Sequence, residues 1–273
     1  MKFIAKIADR NVNVSKTHPL QEFAILAGGL LTIAVVVYFL LGLAVDQIVS
    51  HLSPEYERKL GSVFMQRFME EGKADKRTLA LQTMVDRLQS RCAPLPFRVQ
   101  VHVQQGKSVN AMALPGGHII VFSGLLDVME SENEIGFVLA HEIGHIVNRD
   151  HLRGLGRGLV LMTASTFLLG TDSNITGMIG NGMRLSELTF SRAQETHADD
   201  FAQQVLVCLY GHVGGAEDFF SKIPEEQDPG RLGHYFASHP ENKRRIAHLR
   251  QTAREKGYTL KDPQPLPAQF AHR

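Results

Sequence analysis

The chain has 273 residues, a formal net charge of +1 and no long basic run, which excludes a protein that reads nucleic acid by electrostatics. With one membrane-length apolar segment set aside, about 200 residues remain, enough for a single domain with a true core. The two cysteines, Cys92 and Cys208, form neither a disulfide framework nor a C-x-x-C metal pair; one bridge in an oxidising compartment and two buried thiols both stay open.

From Phe23 to Val45 there is no charged residue. At about 1.5 Å per residue such a run crosses the ~30 Å hydrocarbon core of a bilayer, so the lipid bilayer is an expected partner through residues 23–45. The run exceeds the about 7–15 apolar residues of a signal peptide, and residues 1–22 precede it, so an uncleaved anchor is expected. Lys2, Lys6, Arg10 and Lys16 come before the span, whereas only Arg58 and Lys59 follow within about 20 residues. That bias puts the short amino-terminal segment in the cytoplasm and everything after Asp46 outside, on the periplasmic side of an inner membrane.

Ser53-Pro54 opens a polar helix to about Glu71, with Pro at a first-turn position. A second helix over Lys76–Ser90 sets Leu79, Leu81, Met84, Val85 and Leu88 mainly along one side. Phe97–Gln104 alternates strictly and predicts a half-buried strand with His102 on its exposed, polar face. Asn110–Leu114 is a second extended run, Pro115-Gly116-Gly117 a turn, and His118–Phe122 a returning strand. The small residues Ala111 and Ala113 suit an edge to which another strand can be added, or equally an ordinary hairpin edge. A short helix from Gly124 to Met129 follows. Ser131 and Glu134 then stand as a capping box for a helix running to about Asn148.

That helix carries His141-Glu142-Ile143-Gly144-His145. Residues four apart share a helix face, so His141 and His145 can aim two imidazoles at one point, with Glu142 roughly 100° round the helix. This is the H-E-x-x-H pattern: two neutral nitrogens hold one Zn²⁺, and the adjacent carboxylate takes a proton from the water that the ion activates. His151 is off that spacing and is expected to be structural or solvent-facing. Residues 154–183 are Gly-rich around an apolar stretch at Leu159–Leu169, too short for a second span; a lid, a membrane-facing piece and a packed helix with a loop are all compatible. Catalytic zinc takes three protein ligands and one open position. Glu195 and Asp199 lie four apart on the next helix, so Glu195 can ligate while Asp199 accepts the outward N–H of a ligating His. His197 points away. A short helix near Ala216–Ile223 and a last helix from Ser238-His239-Pro240 through Leu249 complete the domain, and residues 257–273 read as a loose tail.

H-E-I-G-H, then S-R-x-x-E-x-x-A-D at Ser191–Asp199, and upstream N-A-x-A-x-P-G-G at Asn110–Gly117 resemble the M48 family of zinc metallopeptidases. The resemblance covers roughly Asn110 to His248. It implies an α+β, mostly helical gluzincin-type domain with a small β-sheet over residues 46–256, preceded by one transmembrane helix. It also implies zinc, one ion per chain, on His141, His145 and Glu195, with Glu142 as the catalytic carboxylate and Asp199 supporting a ligand. Ala111, Met112, Ala113 and Leu114 become the substrate-binding edge. His239 and Arg245 match the family's H-P and following Arg and are assigned to stabilising the oxyanion of the tetrahedral intermediate. The single apolar span departs from family branches that carry several.

The expected function is a membrane-anchored zinc endopeptidase acting on protein and peptide substrates in envelope quality control. The alternatives are a catalytically silent, membrane-tethered zinc-binding chaperone, which a fourth protein ligand closing the site would signal, and a hydrolase of non-peptide substrates, which the strand-like edge disfavours.

Overall fold

The structure, a computed structural model, describes residues 18–69, 76–169, 190–222, 239 and 242–270. It divides into two compact units, Met1–Ala44 and Val45–Arg273. What is described of the first is the leading part of one helix, α1 (Pro19–His51), whose most apolar stretch has a mean hydropathy of 2.6. It is long and apolar enough to cross a membrane, and it starts ahead of the expected Phe23 and ends beyond the expected Val45.

The second unit holds the end of α1, then α2 (Pro54–Met69), α3 (Lys76–Arg91), β1 (Gln100–Gln104), β2 (Ala111–Leu114), β3 (His118–Phe122), α4 (Ser123–Leu126), α5 (Glu132–Val147), α6 (Asp150–Leu169), α7 (Arg192–Tyr210), α8 (Asp218–Ser221) and α9 (Asn242–Glu255). The three strands form a sheet in the order β1-β3-β2, with β1 parallel and β2 antiparallel to β3. The β2–β3 turn needs its glycines, because Gly116 and Gly117 both take left-handed backbone (φ 81° and 79°). One sheet face, through Val101, Val103, Ala111, Ile119 and Val121, joins Leu81 and Leu88 of α3, Phe137 and Ile143 of α5 and Leu206 of α7 in the main core. The other, through Leu114 and Ile120, packs on Met65 of α2.

Helix α5 is buried on every side except near its end, and it packs chiefly on α7. The close approach is made by Gly144: a Cβ there would stand 3.0 Å from the Cα of Ala198. Gly144→Val therefore has to push α7 outward, and overpacking of this kind costs about 1–3 kcal/mol. We expect its melting temperature to fall by about 2–10 °C in a differential scanning measurement.

Several expectations change. Ser131 caps α5 by accepting from the Glu134 backbone N–H, but the Glu134 carboxylate, rather than closing the box, takes the Ser131 hydroxyl and Lys222 Nζ (2.6 Å). His102 is not exposed. It lies half-buried with its Nε2 3.2 Å from Nδ1 of His118, because adjacent parallel strands bring the two rings together; burial, with His102 beside it, pushes His118 down to about 4. His151 is the structural kind, buried 3.4 Å from the buried Glu57.

Residues 154–169 continue α6 as one helix, with Gly156 making room for Val45 and Arg157 pairing with Asp46 at 3.0 Å. The rest of the expected lid, residues 170–183, lies outside the described residues. The tail is not loose. Gln264 accepts from the Glu132 backbone N–H at the start of α5, Thr259 accepts from Val213 N–H, and Phe270 is buried. Pro263, Pro265 and Pro267 hold this segment extended before it docks, which lowers the entropy lost on ordering it.

The cysteine question resolves into a Cys92–Cys208 disulfide that joins the end of α3 to α7 across a sequence separation of 116.

Candidate metal and active site

His141 and His145 point from consecutive turns of α5 into one space, with their Nε2 atoms 3.1 Å apart. Each Nδ1 meets a buried carboxylate. Asp199 Oδ1 lies 3.0 Å from that of His141, and Asp150 Oδ2 lies 3.0 Å from that of His145. A carboxylate only accepts, so both rings carry hydrogen on Nδ1 and turn Nε2 inward. The Phe190 ring stacks on His145 at 3.9 Å between centroids and shields that side.

Helix α7 begins with a complete capping box between Ser191 and Gln194, which fixes the turn that carries Glu195. The Glu195 carboxylate spans the two imidazoles, with Oε1 3.4 Å from His145 Nε2 and Oε2 3.6 Å from His141 Nε2. His239 joins them, its Nδ1 2.9 Å from Glu195 Oε1 and 3.3 Å from His141 Nε2. One donor atom from each of these four residues lies within 4.8 Å of the other three.

These spacings suit a metal ion. Ligand atoms around tetrahedral zinc at about 2.0–2.1 Å stand about 3.3–3.4 Å from one another. The charge agrees: Glu142, Glu195, Asp199 and Asp150, four carboxylates, are buried with one guanidinium, Arg245, and a divalent cation offsets the excess. Burial and the Arg245 charge push His141 down to about 4, so it stays neutral as a ligand must. Burial opposes the charged form of His145 as well. The hydrogen bonds to Asp150 and Glu195 and the Glu195 and Glu142 charges outweigh it and push this ring up to about 9. Burial raises Glu195 and Asp199, yet both end lowered: His239 and Arg245 hold Glu195 well below the carboxylate range, and Arg245 takes Asp199 to about 2.

Arg245 grips Asp199 with two nitrogens, Nη2 to Oδ1 at 2.6 Å and Nε to Oδ2 at 2.8 Å. Its Nη1 lies 2.8 Å from Glu195 Oε2, and the guanidinium sits over the Phe220 ring at 4.6 Å. It thus faces the carboxylates of α7. Glu142 differs from all of these. Its side chain is fully buried, and among the described residues neither carboxylate oxygen accepts a hydrogen bond; His239 Nε2 stands 3.5 Å from Oε1.

The structure gathers His141, Glu142, His145, Glu195, Asp199, His239 and Arg245 into one group. His239 lies among the metal donors, and Arg245 braces α7. Ala111–Leu114 form strand β2, an edge of the sheet that packs against α5. Asp150 and Phe190 were missed. Asp150 follows the motif at five residues, visible in sequence but meaningful only once the backbone turns between α5 and α6.

The sequence profile described as peptidase family M48 matches residues 75–253, well over half of the chain. The chain belongs to peptidase family M48. It is 32% identical over 157 residues to metalloprotease LoiP of Escherichia coli and 33% identical over 168 residues to metalloprotease YcaL of the same organism. Each match covers 56% of this chain, and 62% of LoiP or 61% of YcaL, so the chain spans about three fifths of these relatives. A mitochondrial metalloendopeptidase OMA1 of Arabidopsis thaliana is 30% identical over 145 residues, which is 52% of this chain and 29% of that protein.

Proposed function

We propose that the chain is a membrane-anchored zinc endopeptidase. The observation that carries this reading is Glu142: burying a carboxylate whose oxygens have no donor is costly, and beside a metal-donor group it has a use only as a base. His141, His145 and Glu195 would hold zinc, which would supply Lewis acidity at the scissile carbonyl and acidify the attacking water. Glu142 would take the proton of that water and return it to the leaving amide nitrogen. His239 lines the same space with its Nε2 toward Glu142, beside where the oxyanion would form, and Arg245 holds Asp199 and Glu195 in register. The substrate would lie along the edge strand β2, at Ala111–Leu114, as an added strand.

Helix α1 provides the anchor, and the cation bias before it together with the disulfide supports an oxidising, extracytoplasmic side for the domain. Envelope proteins are then the substrates within reach. The position of His239 favours one second reading, a zinc site closed by four protein ligands in a silent binding module.

Casein cleavage by the full chain in detergent separates the two. Cleavage is expected, lost on chelation with o-phenanthroline and restored by about one equivalent of Zn²⁺. A protein that binds zinc tightly and cleaves nothing is the closed module.

A further inference from the structure

We infer that Asp150 is a positioning residue of the metal-donor group: it holds His145 in the tautomer that presents Nε2, and through Gln194 it sets where α7 delivers Glu195. The inference rests on the metal-site reading above and adds a residue outside its motifs.

The backbone explains why Asp150 is there. Helix α5 ends at Val147, and Arg149 takes a left-handed conformation (φ 56°) that starts α6 at once. That reversal swings the first residue of α6 back against the ring of His145. Asp150 is 2% exposed, and its Oδ2 accepts from His145 Nδ1 at 3.0 Å. Its Oδ1 accepts from Gln194 Nε2 at 2.9 Å. Gln194 is held at its other end, where Oε1 accepts from the Ser191 backbone N–H at 2.8 Å, and the next residue is Glu195.

A short relay therefore runs from one donor residue to another: His145, Asp150, Gln194, Glu195. Asp150 is the first residue of α6, one past the cap position, and its two oxygens accept from side chains of other helices, one from α5 and one from α7, with Arg153 Nη1 of α6 3.7 Å from Oδ1. The arrangement mirrors the other imidazole, where Asp199 faces His141 Nδ1 and is fixed by Arg245. Each histidine has its own carboxylate, and each carboxylate its own brace. Outer hydrogen bonds of this type alter metal affinity by about 10–100-fold.

The test is competition for Zn²⁺ between the full chain in detergent and a chromophoric chelator, for wild type, Asp150→Ala, Asp150→Asn and Gln194→Ala. Asp150→Ala is expected to weaken zinc binding about 10–100-fold. Asp150→Asn is expected to be intermediate, because a carboxamide oxygen still accepts from Nδ1 while the charge is gone. Gln194→Ala is expected to shift the visible spectrum of the Co²⁺-loaded protein, as Glu195 moves. If Asp150→Ala does not fold, the near-isosteric Asn variant decides.

A purely structural Asp150 would lower the melting temperature of the metal-free protein and leave zinc affinity within about twofold of wild type, and that result overturns the inference. Failure of wild type itself to bind Zn²⁺ overturns the metal reading with it.

Discussion

Replacing Glu142 with Gln is expected to reduce casein cleavage by about 10²–10⁴-fold while zinc binding is retained. The substitution keeps the shape of the side chain and removes its capacity to take a proton. His141, His145 and Glu195 are untouched by it, because Glu142 bonds to none of them. Equal cleavage by the two proteins sinks the assignment of Glu142 as base. A large loss of cleavage accompanied by loss of zinc shows instead that the site had collapsed.

The catalytic helix and its partners were legible because their signals are local or periodic. The i, i+4 spacing of His141 and His145, and of Glu195 and Asp199, fixes a shared face before any tertiary contact is known. Alternation marked β1, and the glycine pair at Gly116-Gly117 marked the β2–β3 turn. What stayed hidden depends on where separate elements meet. Asp150 acquires its role from a left-handed residue between two helices, and nothing in the identity of Arg149 announces that conformation.

His102 reads as solvent-facing by alternation, and only the pairing of β1 with β3 places His118 beside it. Composition misjudged residues 257–270. Proline content signals poor core formation on average, whereas these prolines shape an extended strap whose carbonyls and Phe270 find partners at α5 and in the core. Arg245 matched a family motif, yet its direction, toward Asp199 and Glu195, is a property of how α9 lies against α7.

The Cys92–Cys208 bridge carries the largest expected effect on stability. It closes a sequence separation of 116, and loop-closure entropy for a loop of that size is worth about 4–5 kcal/mol. For a domain of about 200 residues this corresponds to a melting temperature about 10–20 °C lower in the Cys92→Ser/Cys208→Ser double variant, or after full reduction of wild type. Cysteine-to-serine exchange at half-buried Cys92 and exposed Cys208 removes little packing, so the cross-link is the main term that changes.

The consequence reaches the site, because Cys208 stands on α7, the helix that supplies Glu195 and Asp199, and Cys92 follows α3, which lies across the core from the metal helix. Reduction removes the covalent tie between α3 and α7 and leaves the alignment of α7 to core packing, to Arg87 Nη2 3.2 Å from the Tyr210 hydroxyl, and to the Asp150–Gln194 and Arg245 contacts. Zinc affinity should therefore fall together with melting temperature on reduction, and recover on reoxidation.

Maleimide labelling of the unreduced, denatured protein gives the decisive readout. No label is expected on protein isolated from an oxidising compartment, and two labels per chain show that the thiols are free, which removes both the predicted stabilisation and the disulfide's support for an extracytoplasmic domain.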